Sequence, residues 1–470
     1  MSQSIVKTTE QLNAQFEHMR ELTRKKPIND WSDREALLNS LSAMLTENKK
    51  RFAEVISQDF GNRSQDETQF AEIFPSLQGI AHAKKHGKSW MKTRRVSIST
   101  FYRPAHNELQ PQPLGLVGIM VPWNYPLFLA VGPMIDALTA GNRIMIKMSE
   151  SAPLFAETFA EAVAEYFPSD AVSVAVGELD LAVAFSGLPF DHLLYTGSTN
   201  VGKQVMAAAA PNLTPVTLEL GGKSPVVVLE DANLETVVNR IMMGKTLNAG
   251  QTCIAPDYVL IHSNLHSKFV KLAKEWMINH YPDIANNADY TRIINASQFK
   301  RVQGYLEKLP HEQLVPLTDI AANADTQFMP PVAVLNPAPD SEVMQNELFA
   351  PIVPLVHVNG VRDAVEFINS RPRPLALYIF GEDNSDIEYV RNYTVSGGVA
   401  INEVIMHVAQ HELPFGGVGH SGMGAYHGQA GFERLSHMKP VFVQSKFNAL
   451  NIMLPPYSDL FRKGLDFLSK

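Results

Sequence analysis

Cysteine is almost absent from this chain: among its 470 residues only Cys253 carries a thiol. A single Cys cannot form an intramolecular disulfide, and a zinc site built from four Cys ligands is excluded. Cys253 is therefore either a small buried hydrophobic residue or a reactive thiol. Burial is the more common fate of a free Cys.

Excess positive charge and long apolar runs are also missing. The formal net charge is −8, which argues against a general nucleic-acid-binding protein. The longest apolar stretch, residues 126–140, is interrupted by Asp136 and is too short to span a bilayer. Residues 1–50 are polar and charged throughout, so no secretory signal is expected. We therefore expect a cytoplasmic protein with no nucleic-acid partner.

The residues around Cys253 favour a reactive thiol. The polar or flexible residues 248–252 precede it, so the thiol follows a loop and does not lie inside an apolar run. Upstream, Glu219 stands between Leu218 and Leu220 and is followed by two glycines. A carboxylate in apolar surroundings is costly unless it is used or paired. A thiol and a desolvated carboxylate can act together as nucleophile and base.

Strands and helices alternate along most of the sequence, which predicts an α/β protein with mostly parallel sheets. A length of 470 residues is too great for one core, and we place a boundary between two α/β domains near residue 218. Residues 96–116, rich in Thr, Tyr, Phe and Pro, predict a protruding hairpin. Predicted strands are 116–121, 143–147, 171–176, 192–195, 225–229 and 258–262, and predicted helices are 10–25, 32–58 (N-capped by Ser32), 126–140, 152–167, 180–186, 201–210 and 234–247.

A glycine-containing segment, residues 195–203, follows a predicted strand and opens a helix. This context suits a phosphate at a helix N-terminus. The spacing from Gly197 to Gly202 is G-x-x-x-x-G, however, and not the dinucleotide pattern G-x-G-x-x-G. Taken alone, the segment is better explained as an ordinary strand-to-helix turn with Ser198 or Thr199 as N-cap.

Lys147 and Glu150 come at the end of the predicted strand 143–147. Side chains just past the carboxyl end of a parallel strand lie where ribose hydroxyls are held in nucleotide-binding folds. Glu150 alone is just as well explained as a carboxylate that complements the dipole of the next helix.

Several short segments, taken in order, resemble the aldehyde dehydrogenase superfamily over nearly the whole chain. Residues 415–428 resemble its class 3 branch, and residues 140–143, 397–402 and 407–410 are closer still to bacterial coniferyl aldehyde dehydrogenases. The matching segments are Pro-Trp-Asn-Tyr-Pro (122–126), Lys-Met-Ser-Glu (147–150), Thr-Gly-Ser (196–198), Leu-Glu-Leu-Gly-Gly-Lys (218–223), Gly-Gln-Thr-Cys (250–253), Glu-Leu-Phe-Ala-Pro (347–351) and Pro-Phe-Gly-Gly (414–417).

The resemblance implies NAD(P)-dependent oxidation of an aldehyde to a carboxylic acid. The Cys253 thiolate would attack the aldehyde carbon and give a thiohemiacetal oxyanion, which the Asn124 side-chain amide and the Cys253 N–H would stabilise. One such donor is typically worth about 3 kcal/mol. After hydride transfer, Glu219 would deprotonate the water that hydrolyses the thioester, and its apolar flanks suit a raised pKa.

The same resemblance implies a fold with three parts. These are a Rossmann-like NAD-binding domain (1–217, interrupted by the hairpin), an α/β catalytic domain (218–412) and a C-terminal bridging segment (413–470). The hairpin and the C-terminal region together imply a homodimer. The implied cofactor-binding residues are Trp123, Lys147, Glu150, Gly197, Ser198, Gly202, Leu220, Glu347 and Phe349.

Two residues depart from the family pattern. Met148 replaces a usual proline, which is expected to loosen the turn that aims Glu150. Ala350 replaces a common glycine, which is expected to tighten the backbone near the nicotinamide. We expect a preference for NAD because Glu150 would repel a 2′-phosphate, while Lys147 leaves NADP use possible.

No metal and no membrane partner are expected. His407, His411 and His420 lie near one another in sequence, but no carboxylate or Cys joins them at ligand spacing. The apolar tail, residues 448–470, is better explained by packing across a subunit interface or over the substrate entrance than by membrane binding.

Three functions remain open at this stage. The first is oxidation of an aromatic or a medium-to-long aliphatic aldehyde. The second is a semialdehyde dehydrogenase of central metabolism, although no Arg cluster marks a site for an anionic substrate tail. The third is a catalytically silent binding or structural relative, against which the intact Cys253, Glu219 and Asn124 argue. A CoA-acylating enzyme is a further variant, but such enzymes usually lack the general-base glutamate.

Overall fold

The structure is a computed structural model that describes residues 4–28, 30–448 and 450–469 of the chain. Helices and strands alternate along most of this length, as the hydrophobic patterns predict. The α-helices are Thr9–Lys25, Trp31–Asp59, Gln65–Thr68, Phe74–Trp90, Phe128–Ala140, Pro153–Tyr166, Leu179–Ser186, Thr199–Ala209, Leu234–Thr246, His266–His280, Ala296–Glu307, Glu342–Gln345, Val361–Asn369, Asn384–Tyr393, Gly428–Arg434 and Asp459–Leu468.

The first sheet has seven strands, with Leu116–Met120 at its centre. All neighbouring strands run parallel except the last, which is antiparallel. In spatial order the strands are Ile5–Val6, Val172–Ala175, Arg143–Lys147, Leu116–Met120, His192–Gly197, Val216–Leu220 and Gly422–Met423. After the central strand Leu116–Met120, the next two strands in sequence are added on one side of it. The strand His192–Gly197 is then added on the other side. This reversal opens a crevice at the carboxyl ends of the two central strands, where doubly wound sheets bind nucleotides.

The second sheet also has seven strands and is parallel except at one edge. In spatial order these are Leu314–Pro316, Val332–Leu335, Ile352–His357, Tyr258–Ile261, Pro225–Val228, Ala376–Phe380 and Gly398–Ile401. The predicted α/β class with mostly parallel sheets is therefore confirmed.

A third, antiparallel sheet contains the predicted hairpin. Arg94–Val96 pairs with one edge of His106–Pro113. The other edge of His106–Pro113 pairs along eight residues with Ser436–Val443. The hairpin prediction is correct for two strands. The third strand comes from the far end of the chain, where the sequence shows no regular pattern.

Helix Phe128–Ala140 explains the longest apolar run. Every residue of this helix is buried, and it packs against helices Trp31–Asp59 and Phe74–Trp90. It ends at Gly141, which adopts the left-handed conformation (φ 89°) that glycine accepts at low cost. No helix within the described ranges is both long and apolar enough to cross a membrane.

Two sequence-based positions need correction. Ser32 does not cap the second helix: the helix begins at Trp31, and Asp30, with extended backbone angles, occupies the N-cap position. Strand Val216–Leu220 belongs wholly to the first sheet, so the chain passes to the second sheet over residues 221–224. The boundary predicted after residue 217 therefore falls inside a strand, because an apolar run does not reveal which sheet it joins.

Candidate active site

A cleft of about 840 Å³ lies between the carboxyl edges of the two large sheets. It brings together residues that are far apart in sequence. Of the predicted site residues, those that line it are Trp123, Asn124, Gly197, Ser198, Glu219, Leu220, Cys253, Glu347 and Phe349. Lys147, Glu150 and Gly202 are not part of its lining.

Cys253 follows a turn with unusual backbone angles. Asn248, Ala249 and Gly250 have φ values of 49°, 50° and 73°, all in the left-handed region. Such a conformation is costly for non-glycine residues and persists only where the surroundings enforce it. Gln251 supplies that constraint: its Nε2 donates to the Asn248 carbonyl at 2.9 Å and to the Arg292 carbonyl at 3.0 Å. The thiol is therefore presented by a rigid loop at the floor of the cleft.

Asn124 is attached directly to this loop. Its side-chain Nδ2 donates to the carbonyl of Gln251 at 3.2 Å, and its own carbonyl accepts from Asn248 Nδ2 at 3.0 Å. An amide nitrogen carries two N–H donors. One N–H of the Asn124 amide holds the loop, and the other makes no hydrogen bond to a described residue.

A buried charged network, which the sequence did not reveal, supports Asn124 from behind. Arg63 Nη1 donates to the Asn124 carbonyl at 3.1 Å and lies 3.0 Å from Glu72 Oε1. The other oxygen of Glu72 accepts the backbone N–H groups of Leu127 and Phe128 at 2.8 and 3.0 Å. Glu72 belongs to a π-helical turn, Gln69–Ile73, a rare element that is often found near functional sites. No sequence signal separates this turn from the helices around it.

Glu219 is buried at the end of its strand with neither carboxylate oxygen hydrogen-bonded to a described residue. Burial raises its pKa well above the usual range, and the positive charge of Arg434 only partly opposes this. Arg434 is itself occupied, since it donates to Thr217 Oγ1 at 2.9 Å and to the Val216 carbonyl at 2.7 Å. Glu219 is thus an unsatisfied acid that faces the cleft.

The thiol of Cys253 shares this desolvated environment. Burial raises its pKa to about 12, and the nearby carboxylates of Glu347 and Glu219 add to the shift. Without a ligand in the cleft the thiol is therefore protonated at neutral pH. A positive charge brought into the cleft would favour the thiolate.

The segment around Glu347 is held by charged side chains. The Leu348 N–H donates to Asp257 Oδ2 at 2.9 Å, and Arg301 Nη2 donates to the Leu348 carbonyl at 3.0 Å. Phe349 has φ 49° and packs edge-to-face on Trp123, with ring centroids 5.4 Å apart. The left-handed residue is therefore Phe349 itself, and the φ of Ala350 next to it is not positive.

Lys223 has a role that sequence reasoning missed, although it lies in a motif quoted above. Its Nζ donates to the carbonyls of Val343 and Asn346, both at 2.8 Å, and to Asp257. It therefore joins the strand that carries Glu219 to the segment that carries Glu347.

Lys147 and Glu150 lie one strand away from the cleft centre. The Lys147 ammonium donates to the carbonyls of Met148 and Gly177, both at 2.7 Å, and lies 3.7 Å from Glu150 Oε2. Met148 is buried, and its N–H donates to the Ala175 carbonyl at 3.0 Å. This contact anchors the turn, so the loosening expected from the missing proline is not seen.

The glycine segment forms a strand-to-helix turn. Ser198 caps helix Thr199–Ala209 and accepts the Val201 N–H at 3.4 Å. Gly202 lies in the first turns of that helix, where a Cβ would stand 2.5 Å from Leu220 Cδ2. Gly202 thus allows the helix to pack closely on the strand and does not reach the cleft.

The cleft offers unsatisfied polar groups suited to a nucleotide. Thr196 Oγ1 and Glu347 Oε1 are buried without a hydrogen-bond partner among the described residues. A Cβ on Gly221 would lie 2.0 Å from Glu347 Oε2, so any other residue at position 221 would clash with this carboxylate. Hydroxyl and carboxylate groups of this kind can bind ribose hydroxyls, and the helix N-terminus at Ser198 can bind phosphate. The residues present fit a dinucleotide.

Comparison with known proteins agrees with this geometry. Residues 3–441 match the model of the aldehyde dehydrogenase family. A protein of Pseudomonas aeruginosa named a probable coniferyl aldehyde dehydrogenase is 47% identical over 453 residues, covering 96% of this chain and 95% of its own.

Solved structures agree as well. A Staphylococcus aureus AldH in a substrate-bound state has a TM-score of 0.93 and 35% identity, covering 97% of this chain and 99% of its own. An NAD+ complex of a Bacillus cereus aldehyde dehydrogenase has a TM-score of 0.83 and 25% identity, and the match covers 93% of this chain and 89% of that chain. The chain therefore belongs to the aldehyde dehydrogenase family, whose members oxidise aldehydes to carboxylic acids with NAD or NADP.

Proposed function

We propose that this protein oxidises an aromatic aldehyde of the coniferaldehyde type, and that Cys253, Asn124 and Glu219 carry out the chemistry. The observation that carries this proposal is the meeting of a thiol, an amide donor and an unpaired buried carboxylate in one cleft. The relative named as a probable coniferyl aldehyde dehydrogenase supports the substrate class.

Each residue has one task in the proposed reaction. The Cys253 thiol loses its proton to solvent water, the thiolate sulfur adds to the aldehyde carbon, and the π electrons of the C=O bond move to its oxygen, which becomes an oxyanion that accepts from the Asn124 amide and the Cys253 N–H. Bound NAD supplies the acceptor for the hydride and a positive charge that favours the thiolate. The acyl group then remains on Cys253 as a thioester.

Glu219 completes the cycle as a general base. It takes a proton from a water molecule, whose oxygen attacks the thioester carbon and releases the carboxylic acid and the thiol. Only the ionised carboxyl can accept this proton, and its raised pKa makes it a stronger base than an exposed glutamate.

The cofactor contacts are also proposals. Glu347 would bind the nicotinamide ribose, Phe349 and Trp123 would pack beside the nicotinamide ring, and Ser198 would bind the pyrophosphate. Lys147 and Glu150 would hold the adenosine ribose, with NAD preferred over NADP because Glu150 repels a 2′-phosphate. Gly197 and Leu220 would line the site, and Gly202 would act indirectly by letting its helix pack closely on the strand that carries Leu220.

A panel of aldehydes tests the function. Absorbance at 340 nm is followed with coniferaldehyde, hexanal, decanal and succinic semialdehyde, each with NAD and with NADP, and Cys253→Ala serves as the blank. We expect the highest kcat/KM with coniferaldehyde and NAD. A higher value with succinic semialdehyde would favour the central-metabolism alternative, and inactivity on every aldehyde would favour a silent relative.

We further propose a cytoplasmic homodimer. The antiparallel sheet that contains Ser436–Val443 exposes apolar residues, among them Phe442 and Val443. Exposed apolar patches of this kind mark protein interfaces. Light scattering after gel filtration should give twice the 52.1 kDa chain mass, and a single chain mass would contradict the dimer.

A further inference from the structure

Outside the cleft, two histidines of helix Phe74–Trp90 meet a carboxylate from another part of the chain. His82 and His86 are four residues apart, so their side chains lie on one face of the helix, with ring centroids separated by 4.7 Å. Glu412 arrives from a distant part of the chain and places its Oε1 2.8 Å from His82 Nε2. One ligand atom from each of the three residues lies within 4.8 Å of the others.

The packing around these rings holds them in place. The His82 side chain is only 15% exposed, and its ring stacks on that of His411 at 5.9 Å. His86 stacks on Trp90 with ring centroids 6.0 Å apart and planes 15° apart. On the buried side a Cβ at Gly428 would lie 3.3 Å from His82 Cε1, which leaves this ring little room to move. Ligands that are ordered in advance lose less conformational entropy when they bind an ion.

We propose that His82, His86 and Glu412 bind a divalent transition-metal ion of the Zn²⁺ type. Neutral imidazole and carboxylate groups are zinc ligands with bonds of about 2.0–2.2 Å, and two His at i and i+4 of a helix are a zinc-binding arrangement. Imidazole ligands disfavour Mg²⁺ and Ca²⁺, which prefer oxygen. Bonds of this length place tetrahedral ligand atoms roughly 3.4 Å apart. Since His82 has little room to move, rotations of His86 and of the exposed Glu412 side chain would open the 2.8 Å contact between Glu412 and His82 and bring the three ligand atoms to this spacing.

The ion would join two parts of the chain that the sequence separates by 330 residues. Glu412 follows the turn that contains Ile405, whose N–H donates to the Tyr378 hydroxyl at 3.3 Å. Tyr378 in turn donates to the Ile254 carbonyl at 2.5 Å, beside Cys253. An ion bound at the histidines and Glu412 would therefore hold the segment from Ile405 to Glu412, which contacts the loop of Cys253 through Tyr378. Because the ion binds the folded chain, we expect it to raise the Tm.

Calorimetric titration with Zn²⁺ tests the site, using the full chain without an affinity tag and carrying Cys253→Ala, so that the thiol cannot bind the ion. We expect one ion per chain. Glu412→Gln and His86→Ala, each added to Cys253→Ala, should weaken binding at least about tenfold, a loss that removal of even an outer-shell partner can cause. Glu412 is 80% exposed, so its substitution leaves folding intact.

Fluorescence gives a second readout because Trp90 lies beside both histidines. Titration with Cu²⁺ should quench part of the emission, and Trp90→Phe should abolish that quenching while Zn²⁺ still binds. His280→Ala is the matched control, since His280 also stacks on a tryptophan, Trp276, at 4.2 Å but lies outside the cluster. Failure to bind one ion per chain, or equal affinity in both ligand variants and the control, would overturn the proposal.

Discussion

Removal of Glu72 should destabilise the protein strongly, although this residue contacts neither substrate nor cofactor in the proposed reaction. Glu72 is fully buried, lies 3.0 Å from Arg63 Nη1, and accepts two backbone N–H groups from the turn that follows Asn124. In Glu72→Ala the one ion-pair partner left to the Arg63 guanidinium among the described residues is Glu67, 3.3 Å from its Nε. Loss of one partner of a buried ion pair typically costs about 3–5 kcal/mol.

The stability of the conservative variant Glu72→Gln should lie between that of the wild type and that of Glu72→Ala. In Glu72→Gln one amide oxygen can still accept the N–H groups of Leu127 and Phe128, but the charge opposite Arg63 is gone. We therefore expect a loss of about 1–3 kcal/mol, the cost of unsatisfied buried polar groups. Both variants should also lower kcat, because a shift of about 1 Å in a positioned group such as Asn124 can cost about 100-fold in rate.

Urea unfolding followed by tryptophan fluorescence measures the free energy of unfolding, and absorbance at 340 nm measures kcat. Glu157→Ala is the control, since Glu157 forms an exposed ion pair with Lys7 at 2.8 Å. Exposed pairs contribute about 0–1 kcal/mol. If Glu72→Ala is no less stable than Glu157→Ala, the buried network does not support the site and the reasoning is wrong.

Four further outcomes follow from the same geometry. Asn124→Ala should lower kcat by about 10²–10³-fold, as expected for loss of one oxyanion donor, and an unchanged kcat would contradict its role. Glu219→Gln should slow thioester hydrolysis by about 10²–10⁴-fold, so stopped-flow absorbance should show a burst of one NADH per site before slow turnover. Because burial raises the pKa of Cys253 to about 12, alkylation by iodoacetamide in the cofactor-free protein should still increase from pH 8 to pH 10, and a plateau below pH 8 would refute this. Burial likewise raises the pKa of Glu347 from 4.5 to about 8. The unfolded chain loses this proton first, so the wild type should lose stability relative to Glu347→Gln as the pH rises from about 4.5 to 8.

Local sequence was sufficient for the class of fold and for the identity of the unusual residues. The strand Arg143–Lys147 was predicted with the correct bounds, because its three central residues, 144–146, form the apolar run expected of a parallel strand that is buried on both faces. Cys253 stood out because it is the single thiol, and Glu219 because a carboxylate within an apolar strand is rare. The family resemblance then supplied expectations about chemistry that composition alone does not contain.

The tertiary structure decided which residues meet. Arg63 and Glu72 look like ordinary charged residues of a helical region, and only the fold shows both buried behind Asn124. Glu412 carries no ligand signal in sequence, because ligand spacing applies within one element and the two histidines lie on a helix 330 residues away. Periodicity reports which face of an element is buried, whereas contacts between distant elements depend on how the sheets are ordered in space.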